Sequence, residues 1–203
     1  LISELFLFGL LIGSIIHVRF SITPWLAGLS GDASQLTHYL LWPDFVKHWP
    51  LIKPPASIVA ATTSSLASMR QIPLINLIIL LSSAVLLTDS LFHLKKMHYK
   101  LCRVTLNVAI FLACIFLISQ TYYFFHLIHA HIIAKSGVYG SFLIAFLGLH
   151  LINIVAALLF LCILWIRIYK NKLLEKNSFS FDAAVWWWDF LAAILALGFF
   201  WIF

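Results

Sequence analysis

Long runs of apolar residues constrain this 203-residue chain more than any other feature. A membrane-spanning helix needs roughly 20 predominantly apolar residues, whereas a membrane-spanning strand needs only about 9–11. Five segments have helical length and show no strand-like alternation of apolar and polar residues. They cover residues 1–20, 72–94, 101–128, 136–168 and 183–203. The sequence therefore predicts an all-α, polytopic membrane protein whose five transmembrane helices form a single domain.

The low charge content agrees with a membrane protein. Hydrophobic residues make up 63% of the chain and charged residues 10%, whereas soluble domains carry about 25% charged residues. Lipid must therefore cover much of the surface. The formal net charge is +6, but the basic residues form short clusters between apolar segments, where they orient a membrane protein. They do not form a phosphate-binding face, so we expect no nucleic-acid partner.

The connections between the segments differ in charge. Residues 95–103 contain four basic side chains and no acidic one, and residues 167–176 contain four basic and one acidic. Both connections face the same side of a five-helix chain, and positive charge marks that side as matrix or cytoplasmic. The amino terminus is then expected on that side. Residues 21–71, which hold five of the six prolines, are predicted to form an interfacial loop on the other side, which could include a short surface helix near residues 58–69.

Three carboxylates lie in or at the ends of apolar segments: Glu4, Asp89 and Asp189. An ionised carboxylate at membrane depth costs about 2.5–3.5 kcal/mol, so these side chains should not face lipid tails. Asp89 and His93 are four residues apart on a helix and are predicted to bind each other. Glu4 has no basic neighbour in sequence. We expect it either to be protonated or bound across helices, or to be an interfacial glutamate in a first helical turn.

The histidines and cysteines give no convincing metal site. His126, His129 and His131 lie close together, but no Cys, Asp or Glu is near enough in sequence to complete a zinc or copper site. We interpret them as an interfacial cluster. His150 lies at mid-segment without a matching histidine that could complete a haem site. The three cysteines share no metal-ligand spacing and are predicted to be buried free thiols: Cys102, Cys114 and Cys162. We therefore expect no catalytic residue, metal or cofactor in this chain.

Several motifs, taken in their order and spacing, resemble subunit III of the haem–copper cytochrome c oxidases. Residues 137–141 read Gly-Val-Tyr-Gly-Ser, and Gly148 and His150 are similar to the family's Gly-Phe-His. Residues 3–9 resemble the Ser-Glu-x-x-x-Phe segment that opens the family's third helix and carries its buried glutamate. Residues 182–188, Asp-Ala-Ala-Val-Trp-Trp-Trp, resemble the family's Glu-Ala-Ala-Ala-Trp-Tyr-Trp.

The sequence also departs from the family pattern. The family's second histidine in the fourth segment is Asn153 here, and the acid of its Gln-x-x-Glu motif is Tyr123. Its first two helices have no counterpart. We expect another chain, an accessory subunit or ordered lipid to fill the place of those two helices. Because Leu1 already lies in an apolar segment, we also expect a fragment, a processed product or part of something longer.

The resemblance implies a core subunit without a redox centre. In the family, subunit III packs against subunit I, which holds the haems and copper, and it assembles with subunit II and accessory subunits. Its V-shaped cleft holds phospholipids, and it keeps the catalytic subunit stable and its proton uptake sustained. For Glu4 this implies a role as a buried acid in helix packing. Lipid or inter-helix polar contacts are implied for His93, His150, Trp186, Trp188 and Asp189. The implied location is the mitochondrial inner membrane, with the basic loops on the matrix side.

Two other interpretations remain open from the sequence. Five-helix subunits III also occur in bacterial quinol oxidases, which would place the chain in a bacterial cytoplasmic membrane. A small proton or solute transporter could use Glu4, Asp89 and Asp189. Such transporters usually show repeated halves and helices broken by Gly or Pro, and the sequence has no visible internal repeat.

Overall fold

A computed structural model describes residues 2–47, 62–129, 138–170 and 179–202, which form helices joined by short turns and contain no strand. The helices are α1 (Ile2–His17), a π-helical segment (Val18–Ile22), α2 (Thr23–Leu26), α3 (Asp32–Leu41), α4 (Thr62–Lys95), α5 (Tyr99–His129), α6 (Val138–Tyr169) and α7 (Phe179–Ile202).

Five helical stretches are long and apolar enough to cross a membrane. They are Ile2–Leu26, Gln71–Lys95, Tyr99–His129, Gly140–Tyr169 and Phe179–Trp201. The first joins α1, the π-helical segment and α2 into one continuous stretch. The prediction of an all-α membrane protein with five transmembrane helices is confirmed.

The region predicted as an interfacial loop is more helical than expected. The first span continues past residue 20 to Leu26, because the backbone stays helical without a break through the π-helical segment and into α2, which contains Pro24. A further helix, α3, follows at Asp32–Leu41. α4 already begins at Thr62, so residues 62–69 are continuous with the helix that contains the second span and do not form a separate surface helix; residues 58–61 lie outside the described residues. Pro73 lies inside α4, where it is buried by its neighbours.

The helices α4 to α7 form a four-helix bundle. α4 packs against α5 and α7, and α6 packs against the same two helices, so the four close into a ring. This confirms the predicted bundle of the second to fifth spans. α1 lies outside the ring and contacts α6 and α7. The ring of Phe8 meets that of Phe190, and the ring of Phe20 meets that of Trp201, so α1 runs parallel to α7.

This arrangement places the first residues of α1 at the same end of the bundle as the α4–α5 connection. Lys95 at the end of α4 forms an ion pair with Asp182 in the first turn of α7, with a distance of 2.7 Å between Lys95 Nζ and Asp182 Oδ1. α2 then lies towards the opposite end. The amino terminus of the first span and the α4–α5 connection thus lie at the same end of the bundle, as the predicted topology requires. The side of the membrane that this end faces stays a prediction from loop charge.

Small polar side chains join α4 to α5 inside the bundle. Ser83 Oγ donates to the carbonyl oxygen of Ala109 at 3.0 Å, and Ser90 Oγ donates to that of Cys102 at 3.0 Å. Both serines are buried. Because lipid tails are as apolar as leucine side chains, spanning helices associate through close packing and such inter-helix hydrogen bonds.

The three cysteines are free, as predicted, but their predicted burial is only partly correct. Cys102 is buried, Cys162 is half-buried and Cys114 is exposed. The prediction is wrong for Cys114 because this residue lies on the outer face of α5. An apolar thiol is tolerated there, since that face of a spanning helix meets lipid.

Candidate functional site

The side chain of His150 lies where α1 meets α6 and α7. It is completely buried, and its Nε2 lies 3.0 Å from the carbonyl oxygen of Leu191 on α7. Three phenylalanine rings surround it: Phe8 of α1 at a centroid distance of 6.4 Å, Phe116 of α5 at 6.2 Å and Phe146 of α6 at 6.3 Å. We call these five residues the His150 junction. The junction joins four of the five spanning stretches at one point.

The hydrogen bond to Leu191 fixes the tautomer of His150. A carbonyl oxygen can only accept, so Nε2 carries the hydrogen and Nδ1 is the acceptor of the neutral ring. Nδ1 has no hydrogen-bond partner among the described residues, and within the same residues no three His, Cys, Asp or Glu side chains converge as a metal site requires. His150 is therefore placed as a hydrogen-bond donor that links α6 to α7.

Gly198 sets the position of the Phe146 ring. A Cβ atom built on Gly198 would clash with Cζ of Phe146 and lie 2.6 Å from Cε1. The same ring meets Phe8 edge-on at a centroid distance of 5.7 Å. Only glycine leaves α7 room for this ring, so Gly198 indirectly determines how α1 packs on the bundle.

Glu4 lies one helical turn before Phe8. Residues four apart share a helix face, so Glu4 lies on the face of α1 that packs against α6 and α7. The side chain is half-buried, and its Oε2 is buried with no hydrogen-bond partner among the described residues. This position is compatible with the implied buried acid, whose role stays a prediction.

The carboxyl-terminal end of α4 carries the predicted acid–histidine pair. His93 Nε2 lies 3.3 Å from Asp89 Oδ2, four residues away on the same helix. The pair is partly exposed, and exposed ion pairs contribute at most about 1 kcal/mol to stability. Its contribution is therefore local, and the structure does not bring His93 to the His150 junction.

The three remaining predicted residues lie on different sides of α7. Trp186 is 70% exposed and faces outwards, while Trp188 is completely buried. The Nε1 of Trp188 has no hydrogen-bond partner within the described residues, so its observed contribution is packing. Asp189 is exposed and lines a groove between α4 and α7. The predicted site residues thus occupy several separate places.

A buried polar network was not among the predicted site residues. Ser119 Oγ donates to Asn76 Oδ1 at 2.5 Å, and Asn76 Nδ2 donates to Gln120 Oε1 at 2.8 Å, linking α4 to α5. Asn76 and Gln120 are buried. The available signal was an Asn and a Gln inside apolar segments, because such side chains must find partners away from lipid.

A second group of polar contacts joins the first part of α5 to the end of α6. Trp165 Nε1 donates to Asn107 Oδ1 at 2.6 Å, and Asn107 Nδ2 donates to the Tyr169 hydroxyl at 3.0 Å. The guanidinium carbon of Arg103 lies 5.3 Å from the centre of the Tyr169 ring. Aromatic and basic side chains of this kind are typical of the membrane–water boundary.

The predicted histidine cluster is only partly described. His126 stacks on Tyr122 with a centroid distance of 6.2 Å, and His129 ends α5. His131 lies outside the described residues, as do Trp49 of the predicted interfacial loop and Gly137 of the Gly-Val-Tyr-Gly-Ser motif.

Comparisons with known proteins point to one family. Residues 54–203 match the family model described as Cytochrome c oxidase subunit III. Cytochrome c oxidase subunit 3 of Spodoptera frugiperda is 32% identical over 124 residues, which cover 61% of this chain and 82% of that protein. The protein of the same name from Drosophila melanogaster is 30% identical over 124 residues, 61% of this chain and 46% of that one.

A longer match joins the chain to cytochrome c oxidase subunit 3 of Homo sapiens. These two are 25% identical over 192 residues, which cover 95% of this chain and 61% of the human protein. The chain thus spans about half the length of several of the curated relatives it matches.

Proposed function

Because this chain belongs to the cytochrome c oxidase subunit III family, we propose that it is a non-redox core subunit of a respiratory cytochrome c oxidase. The observation that carries the proposal is the family match over residues 54–203, which includes the whole four-helix bundle. The proposed task is to stabilise the catalytic subunit and to bind phospholipid while that subunit transfers electrons to oxygen and pumps protons.

The geometry suits a scaffold. The His150 junction holds α1 on the bundle through packed rings and one buried hydrogen bond. Most of α1 nevertheless faces outwards: Ile2, Leu5 and Phe6 are each at least 60% exposed. An apolar surface of this kind is available to lipid or to the spanning helices of other subunits.

In this proposal the redox groups belong to other chains. We assign the haems and copper to the partner catalytic subunits, with subunit I as the main partner and subunit II and accessory subunits as further partners. The animal relatives support a location in the mitochondrial inner membrane, and the loop charges support basic connections on the matrix side.

Purification of the complex through a tag on this chain tests the proposal. We expect the chain to bring haem-containing subunits with it in a mild detergent, and the preparation to consume oxygen with reduced cytochrome c. Membranes with the untagged chain serve as the control. Recovery of the chain without haem-containing subunits would overturn the proposal. Oxygen consumption with quinol but not with cytochrome c would replace it with the quinol-oxidase alternative.

A further inference from the structure

A groove of about 620 Å³ lies on the outer surface of the bundle between α4 and α7; we call it the α4–α7 groove. Ala84 and Ala192, both buried, form part of its floor. Its polar groups are Thr88, Asp89 and Asp189. Two carboxylates and one hydroxyl therefore line a mainly apolar groove that opens towards the surroundings of the bundle.

The two carboxylates lie at the same depth on opposite walls. Asp89 precedes Lys95 by six residues on α4, and Asp189 follows Asp182 by seven residues on α7. With a rise of 1.5 Å per residue, they lie about 9 and about 10 Å from the level of the Lys95–Asp182 ion pair. That ion pair joins the ends of the two helices at 2.7 Å. Both carboxylates thus lie well inside the level at which the spanning helices carry their terminal charges.

The chain itself satisfies these carboxylates only in part. Asp89 has His93 at 3.3 Å. The hydrogen-bond partner of Asp189 is Thr88, yet the Thr88 hydroxyl also lies 3.0 Å from the carbonyl oxygen of Ala84. A hydroxyl has a single hydrogen to donate, so it cannot serve both oxygens at once. A carboxylate that faces lipid tails without a full set of donors is costly.

We propose that the α4–α7 groove receives a spanning helix of another subunit, and that this helix places a basic side chain between Asp89 and Asp189. The two like charges on opposite walls are complementary to one cation at that depth. Alanines in the floor allow the backbone of a second helix to approach closely. The inference rests on the proposed function only in requiring that the chain works within a membrane complex.

Depth favours a helix over a lipid headgroup. The ammonium group of a phospholipid lies at the membrane boundary, with the charges at the helix ends, which are about 9–10 Å from these carboxylates. A lysine, arginine or histidine on a spanning helix can be placed directly at the required depth. Such residues are rare in spanning helices and usually pair with an opposite charge inside the protein.

Site-specific crosslinking in the intact complex tests the proposal. A photoreactive phenylalanine analogue is placed at Val85, which lines the groove and is 69% exposed. The matched control position is Leu159 of α6, which is 62% exposed and does not line the groove. We expect position 85 to crosslink to a spanning peptide that carries Lys, Arg or His within one helical turn of the crosslinked residue, and position 159 not to label that peptide. Crosslinks to lipid alone, or to a spanning helix without a basic residue, would overturn the proposal.

A charge-removal experiment provides the second readout. The double variant Asp89→Asn/Asp189→Asn should lower the amount of this partner that remains bound after a detergent wash by about tenfold, because a paired charge is lost. Asp182→Asn is the control, since it also removes a carboxylate from α7, in the Lys95 ion pair, but keeps both carboxylates that line the groove. Equal retention in both variants would contradict the proposal. If the double variant does not assemble, the proposal is decided by the crosslink at position 85, which is measured with both carboxylates intact. A preparation that contains haem and lacks the crosslink refutes this inference without affecting the proposed function.

Discussion

Gly198→Ala should loosen the attachment of α1 by displacing the ring of Phe146. A Cβ atom at residue 198 would lie 2.6 Å from Cε1 of Phe146 and would clash with Cζ. The ring cannot swing aside freely, because Phe146 is 1% exposed and packs against both Phe8 and His150. The backbone of α7 or the Phe8 contact must shift instead.

The expected loss of stability in Gly198→Ala follows from two opposing effects. Overpacking a tight site costs typically about 1–3 kcal/mol, and two affected ring atoms place Gly198→Ala near the upper end of that range. The alanine recovers about 1 kcal/mol through its higher helix propensity. The net loss is therefore about 2 kcal/mol. For a protein of this size that corresponds to a midpoint about 4–8 °C lower.

The assay is the thermal unfolding midpoint of this chain in the purified complex, measured for the wild type and two variants. Gly148→Ala is the matched control, because its Cβ would meet Phe124 only at 3.6 Å and 3.7 Å, an ordinary contact distance. We expect the Gly148→Ala midpoint to equal or slightly exceed that of the wild type. A Gly198→Ala midpoint as high as that of Gly148→Ala would refute the packing argument.

Substitutions at His150, Asn76 and Glu4 test the remaining contacts. His150→Leu removes the hydrogen bond to Leu191 and should destabilise the chain by about 0.6–1.7 kcal/mol, measured as the same midpoint. Asn76→Leu removes the hydrogen-bond partner of both Ser119 and Gln120 and should lower the stability of the chain by about 1–3 kcal/mol. Ser82→Ala is the control, because it loses only a hydrogen bond within its own helix and should change stability little. Equal losses of stability in the two variants would contradict a stabilising role for the network. Glu4→Gln should leave the initial rate of oxygen reduction nearly intact, whereas Glu4→Leu should shorten the time for which the complex stays active. Immediate loss of oxygen reduction in an assembled Glu4→Gln complex would show instead that Glu4 takes part in the chemistry.

The spanning helices could be predicted from the sequence because the membrane itself imposes their length and composition. The Asp89–His93 pair could be predicted as well, because it depends only on a spacing of four residues within one helix. Both predictions are local. They need neither the rotation of a helix about its axis nor the identity of its neighbours.

The features that the sequence did not reveal depend on how each helix is rotated about its axis and on which helices lie beside it. The partner of Asn76 is decided by how α4 and α5 face each other, and the importance of Gly198 appears only when Phe146 is placed against it. The second segment was predicted to begin at residue 72, next to Pro73, yet α4 continues through this proline. Spanning helices tolerate proline where neighbouring helices pack around it, and Pro73 is buried. α3 was not predicted, because its residues are only weakly hydrophobic. Gly31, whose φ is 101°, directly precedes it.

We propose that this chain supports a haem-containing oxidase without carrying redox groups. The decisive measurement is the reduced-minus-oxidised visible spectrum of the purified complex, before and after the chain is selectively removed with detergent. We expect the full haem signal to stay with the remaining subunits, the isolated chain to show none, and the depleted complex to start at a near-normal rate but fail sooner. Haem absorbance that leaves with this chain would contradict this proposal.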